Sequence, residues 1–346
     1  FHQTLLRLVT ENAAGSHGYM PNAGYPEVRE ALARKASGEH GVEIDGRHII
    51  MSVGAAGALN VIFKAILNPD DEVIVSKPYF MEYRSYITNH GGRLVEVHAA
   101  PDFNLDIDAI RRALNEKTAA ILINSPHNPT GRVYPQETIS ALAEVLLRHG
   151  ENTGRYPFLI TDEPYRELVY DGALVPPVLC AYPHSIAATS YSKNLSLPGE
   201  RIGYIAVGPQ NDDKETLINA LVYATRILGF VNAPALMQRC VAELTGVKAA
   251  VEVYAARRAA FKEALTGAGL EYVNPEGAFY IFCRVPGSVP NDTEFTTLLK
   301  KHLILGVPGS SFGAPGWIRF AYCVNENVIR ASAPSFKAAC GSIPRR

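Results

Sequence analysis

Ser185-Ile186-Ala187-Ala188-Thr189-Ser190-Tyr191-Ser192-Lys193 opens as an uncharged, largely apolar run and ends in a lysine set among hydroxyls. The first five residues read as a buried strand. That strand delivers Lys193 at its carboxyl end, where α/β proteins bind their ligands. An apolar wall and a nearby cation lower the pKa of such an amine, which makes its neutral form available as a nucleophile or base. Arg201 follows eight residues later, a planar and permanently charged fork suited to phosphate, and Ser190 adds a hydroxyl donor. Taken alone, S-x-S-K fits an exposed structural lysine equally well.

Outward from this stretch, seven short apolar runs can be counted, at 48–53, 72–76, 94–97, 119–123, 158–161, 185–189 and 202–207. Helical spacing separates several of them, at 58–67, 106–114 and 135–148. Strand, helix, strand in repetition implies a mostly parallel seven-stranded sheet flanked by helices. The last two runs lie too close for a helical crossover, so one strand is expected to be antiparallel. Upstream, residues 1–14 carry helical spacing with Leu5, Leu6, Leu8 and Val9 on one face, and a further helix is expected over 27–37. Between them, the turn-rich loop 18–26 cannot be regular structure. Beyond Val207 come long helical patterns at 214–228 and 247–265, then strands at 279–285 and 317–322. The fold class is therefore α/β with a smaller α+β C-terminal domain. The division read from the chain is an N-terminal arm, 1–24, a large domain, 25–230, and a small domain, 231–346.

Composition narrows the partners. Hydrophobic residues make up 47% and the formal net charge is −1, which gives no reason to expect nucleic acid or an acidic membrane surface. No apolar run reaches the ~18 residues of a membrane span. The 5 cysteines are scattered without a C-x-x-C, as in free thiols of a reducing cytoplasm, so a cytoplasmic protein is expected. The 10 histidines show no paired metal-ligand spacing, and no metal is expected.

The loops after these strands carry the chemistry. Gly54-Ala55-Ala56-Gly57 opens a helix with small residues, which lets a phosphate approach exposed N–H groups; a plain tight turn is the alternative. Pro78-Tyr79-Phe80-Met81-Glu82-Tyr83 is an aromatic cluster that either stacks on a flat ring or fills core. Asn124-Ser125-Pro126-His127-Asn128-Pro129-Thr130-Gly131 has two prolines and a glycine, a loop built to fix asparagine side chains. Asp162-Glu163-Pro164-Tyr165 places a carboxylate at the inner end of a buried strand, where it needs a cation. Lysine for an imine, serine and arginine for a phosphate, and an acid for a protonated pyridine together suggest pyridoxal phosphate. Arg319 lies in the apolar strand Trp317-Ile318-Arg319-Phe320-Ala321-Tyr322, where it meets either an internal carboxylate or an anionic ligand.

N-S-P-H-N-P-T-G, then D-E-P-Y, then S-Y-S-K with arginine eight residues on, resemble in order and spacing the class I/II aminotransferases, fold-type I pyridoxal-phosphate enzymes. The resemblance runs from about Tyr19 to Tyr322. It implies an amino-group transfer between an L-amino acid and a 2-oxo acid by a ping-pong exchange of pyridoxal and pyridoxamine phosphate. It also implies roles for residues. Lys193 is the Schiff-base lysine and proton shuttle. Asp162 partners the pyridine nitrogen. Asn128 and Tyr165 bond the phenolic oxygen, and Phe80 stacks on the ring. Ser190, Arg201 and the backbone of Ala55 and Ala56 form the phosphate cup. Arg319, with Asn128, binds the substrate α-carboxylate. Tyr19 reaches the phosphate of a neighbouring subunit, so a homodimer with shared active sites is expected.

Members of this family carry an upstream segment with a G-x-P-D-F-like stretch over the substrate, which this sequence does not contain; opening as it does at Phe1 in what reads as a helix, the chain is expected to have that segment missing or disordered. Other reactions on the same fold are carbon–sulfur lysis, decarboxylation and cyclopropane-forming synthesis, and non-catalytic regulators use it behind a basic DNA-binding domain. D-E-P-Y in place of the lyases' D-E-I-H favours transamination. For the donor side chain, counting back from Asn232 in Thr225-Arg226-Ile227-Leu228-Gly229-Phe230-Val231-Asn232 places Ile227 where aspartate-specific relatives carry a cation. A neutral or apolar donor is the resulting expectation, with Arg226 one residue out of register.

Overall fold

The computed structural model describes residues 1–11 and 14–343. In chain order, the first half runs α1 (His2–Glu11), α2 (Pro26–His40), β1 (Ile49–Ser52), α3 (Gly54–Ile66), β2 (Glu72–Lys77), α4 (Glu82–Thr88), β3 (Arg93–His98), α5 (Ile107–Ala113), β4 (Thr118–Asn124), α6 (Gln136–Thr153) and β5 (Phe158–Asp162). Then follow β6 (Ser185–Ser190), β7 (Gly203–Val207), α7 (Lys214–Ile227), α8 (Ala235–Glu243), α9 (Val251–Gly267), β8 (Tyr272–Val273), β9 (Tyr280–Arg284), α10 (Asp292–Lys301), β10 (Val307–Pro308), β11 (Trp317–Ala321) and α11 (Glu326–Gly341).

Seven strands form one sheet in the order β1-β7-β6-β5-β4-β2-β3. Only β7 runs against its neighbours, pairing antiparallel with both β1 and β6. The expected sheet, with its single reversed strand, is what forms. Every residue of β4, Thr-Ala-Ala-Ile-Leu-Ile-Asn, is buried, as a central parallel strand covered on both faces requires. One face packs on α3 and α7 through Leu59, Ile62, Phe63, Leu217 and Leu221. The other packs on α5 and α6 through Ile110, Leu142 and Leu146. Near β1 and β7, α2 and α8 close the layer with Val28, Leu32, Met237 and Val241.

The second sheet is antiparallel, β10-β11-β9-β8, with α9 and α11 packed on it through Phe261, Phe320 and Phe336. Tyr165, Leu168 and Tyr170, from the chain after β5, join this second core and tie the two layers together. The lone tryptophan, Trp317, stacks on Phe282 at 5.2 Å and meets Phe103, from the loop after β3, edge-on at 4.9 Å.

The helix expected over 1–14 is α1, and positions 12 and 13 lie outside the described residues, as do the last three positions of the small domain as drawn. Among the described residues no helix is long and apolar enough to cross a membrane.

Candidate active site

Three parallel strands end side by side, and their register sets the floor of a cleft. Asn124 at the end of β4 pairs with Asp162 at the end of β5, and Asp162 pairs with Ala188, two residues before the end of β6. The cleft above them has a volume of about 240 Å³. Asp162 is buried, and its Oδ2 accepts a 2.6 Å hydrogen bond from the Tyr83 hydroxyl. Its Oδ1 is buried with no partner among the described residues. Burial pushes the Asp162 carboxyl up to about 7; the Tyr83 bond opposes that shift and the Glu163 charge adds to it. Asn124 stiffens the floor twice over, donating to the Asp162 carbonyl at 2.7 Å and accepting from the Asn128 backbone N–H at 2.7 Å.

Lys193 follows β6 and lines the cleft with its ammonium 5.2 Å from the Phe279 ring and 5.8 Å from that of Tyr165. Burial lowers its pKa, and the charges of Arg319 and Arg201 act in the same direction against Cys323 and Asp162. Arg201 has a left-handed backbone, φ 50°, and its guanidinium donates to the Pro198 carbonyl at 2.8 Å. Gly54, the first residue of α3, makes room for it. With φ +81° a side chain there is strained, and a Cβ would come within 2.9 Å of the guanidinium. Ala55 and Ala56 stand in the first turn of α3, where backbone N–H groups have no intrahelical partner and the helix dipole favours an anion. Ser190 is buried beside them, and Phe80 meets Tyr83 edge-to-face at 5.6 Å.

The second sheet supplies the opposite wall. Arg319 on β11 is held between the rings of Tyr280, at 4.5 Å, and Phe312, at 4.7 Å. It donates to the Asn128 side chain at 2.8 Å, and its Nε is buried without a partner among the described residues. No carboxylate pairs with it among the described residues. The internal ion pair that the sequence left open is therefore not what balances this charge. The Tyr165 and Tyr280 hydroxyls bond each other at 2.8 Å across the two sheets.

Ala55, Ala56, Phe80, Asn128, Asp162, Tyr165, Ser190, Lys193 and Arg201 thus line one cleft, with Arg319 against its rim. Tyr19 is not brought there; it is 93% exposed and does not line the cleft. Tyr83, Asn124 and Tyr280 belong to the site but drew no role from sequence. Tyr83 and Asn124 stand inside motifs that were singled out and Tyr280 lies in the strand read over 279–285, yet only the fold shows which neighbour each one bonds. Among the described residues no three His, Cys, Asp or Glu side chains gather as a metal site.

Residues 4–333 match the family described as aminotransferase class I and II. The chain belongs to the class I and II aminotransferases. Two curated relatives are a probable aspartate/prephenate aminotransferase of Thermus aquaticus, 37% identical over 94% of this chain and 85% of its own, and an aspartate/prephenate aminotransferase of Thermus thermophilus, 35% identical over 95% and 85%. Among solved structures, an amino transferase of Eubacterium rectale superposes with a TM-score of 0.95 at 38% identity, covering 99% of this chain and 87% of that one. The Thermus thermophilus aspartate aminotransferase with maleate gives 0.88 at 32% identity, covering 98% and 87%. This aminotransferase is an enzyme that works with pyridoxal 5′-phosphate. The unpartnered Oδ1 of Asp162 and the space kept by Gly54 beneath Arg201 both fit that cofactor, the first its ring nitrogen and the second its phosphate.

Proposed function

We propose that the aminotransferase exchanges amino groups between L-amino acids and 2-oxo acids in this cleft, with Lys193 as the covalent and proton-moving lysine. The observation that carries the reading is Arg319, a stacked guanidinium with no carboxylate partner among the described residues and a buried free Nε. A planar fork of this kind suits a carboxylate held bidentately, and the α-carboxylate is common to every amino acid donor and 2-oxo acid acceptor. When bound, the cofactor supplies the electron sink that lets the Cα–H bond break. Lys193, its pKa lowered by burial, takes that proton at Nζ and returns it. Asp162 Oδ1 would accept from the ring nitrogen, Asn128 and Tyr165 would hold the phenolic oxygen, and Phe80 would cover the ring. Ser190, Arg201 and the N–H groups of Ala55 and Ala56 would hold the phosphate. Tyr19 belongs to this set only across a two-fold axis, so we propose a homodimer.

For the donor side chain we propose a neutral or apolar amino acid. The lining of the cleft offers no cation besides Lys193 and Arg201, both already assigned. A second buried carboxylate without a partner is costly. Aspartate is the competing reading. It is favoured by the names of both Thermus relatives and by Arg226, an exposed guanidinium whose hydrogen bond is to Asn22 at 3.4 Å. The deciding measurement is kcat/KM for aspartate and glutamate against alanine, methionine and phenylalanine, repeated in Arg226→Ala. Preference for the neutral donors in both proteins is expected. A strong dicarboxylate preference that collapses in the variant overturns it.

A further inference from the structure

The loop that carries Lys193 has two sides. Ser192 and Lys193 face the cleft, while Tyr191 and Asn194 line a second, smaller space behind it, together with Lys35, Glu39 and Glu167. Lys35, on α2, donates to Glu39 and to Glu167, each at 2.6 Å. Glu167 in turn accepts from the Asn194 side-chain amide at 3.1 Å, on the same oxygen that Lys35 reaches. The residue next to Lys193 is thus tethered through one carboxylate to a helix at the start of the large sheet.

Two polar capacities in this space go unused. The Tyr191 hydroxyl is buried, in a residue only 2% exposed, and has no hydrogen-bond partner among the described residues. Burial and then the charges of Glu39 and Glu167 hold its pKa well above the ordinary phenol value, so it remains an O–H donor facing two carboxylates. In its bonds to Glu39 and Glu167, Lys35 uses two of an ammonium's three donors. About 20 Å³ is open here to the centre of a water molecule, against the ~10–15 Å³ that one water requires.

We infer that one ordered water fills this space, accepting from the Tyr191 hydroxyl and donating to the Glu39 and Glu167 carboxylates, and that Glu167 is a positioning residue which sets, through Asn194, where the loop holds the Lys193 amine. The catalytic consequence rests on the role proposed above for Lys193; the tether and the water do not. A buried donor of this kind is costly unless something accepts from it, and a polar space of this size with donors and acceptors around it is where proteins keep structural water. The charged acceptor makes the tether stronger than a neutral one.

The test uses Glu167→Ala, Asn194→Ala, their double variant and Tyr191→Phe in the cofactor-loaded protein. Each single change at the tether should speed hydrogen exchange of the amides of residues 191–195 about tenfold and lower kcat with little change in KM, a loss matching one hydrogen bond to a charged group. The double variant should be no worse than Glu167→Ala alone, because that change already removes the acceptor of the Asn194 bond. Tyr191→Phe should loosen the same amides, and a crystal structure of the unaltered protein should show a water within hydrogen-bond distance of the Tyr191 hydroxyl. Unchanged exchange in both single variants, additive effects in the double, or an empty space in the crystal overturns the inference. If Glu167→Ala does not fold, Asn194→Ala reads the same bond. Exchange in the cofactor-free protein reads the tether by itself. Borohydride reduction with peptide mapping reads Lys193, so a label on another lysine sinks the proposed role without touching the tether.

Discussion

Asp162 is a carboxyl with a folded pKa near 7 against an ordinary 3.8, raised by burial. In the cofactor-free protein the folded state therefore keeps a proton that the unfolded chain has already lost. Between these two values the unfolded state binds fewer protons, so stability falls as pH rises from about 4 to about 7. A shift of this size corresponds to about 4 kcal/mol at roughly 1.4 per unit. Denaturant unfolding of the cofactor-free protein across that range should show the slope, and Asp162→Asn should flatten it while abolishing turnover. An unchanged slope in the variant would mean that another group carries the titration. Adding the cofactor should restore stability at the upper end, where the carboxylate is charged and gains its partner.

At the scale of elements, the start of α3 is the sensitive point. Gly54→Ala forces a side chain into φ +81° and against the Arg201 guanidinium. The strain is about 1–2 kcal/mol, so Tm should fall by a few degrees. Cofactor retention on dialysis, followed by absorbance, should weaken by about tenfold, because the fork and the helix N-terminus no longer share one space. Retention equal to the unaltered protein would place the phosphate elsewhere. The strands were readable in sequence because uncharged apolar runs such as Ala119-Ala120-Ile121-Leu122-Ile123 admit few other fates. The helices α4 and α8 were not read: α4 begins inside the aromatic cluster 78–83, whose residues were read as ring-stacking or core, and α8 follows directly on Pro234 at the end of the Asn232 stretch. The cleft residues were legible because their order matches a known family. The Lys35–Glu167–Asn194 tether was not, because its partners lie 132 and 27 residues apart and no pattern in the chain joins them.

For the whole molecule, the two cores suggest a different division from the change in helix length. Met237 and Val241 of α8 pack with Val28 and Leu32, so we propose that the smaller unit begins after α8. Tyr19, exposed and apart from its own cleft, makes the assembly the next question. Sedimentation should show a dimer, and Tyr19→Phe should release cofactor faster without changing the sedimentation coefficient; an active monomer would remove Tyr19 from the site. The two units meet at Trp317, which touches Phe282 of its own sheet and Phe103 of the other unit, two residues before Arg319. Since it is the sole indole in the chain, its emission comes from one place. The enzyme therefore carries a label-free optical gauge where its two sheets meet, and the lifetime and polarisation of that indole in a stopped-flow experiment would report any shift of the arginine's strand against the large sheet.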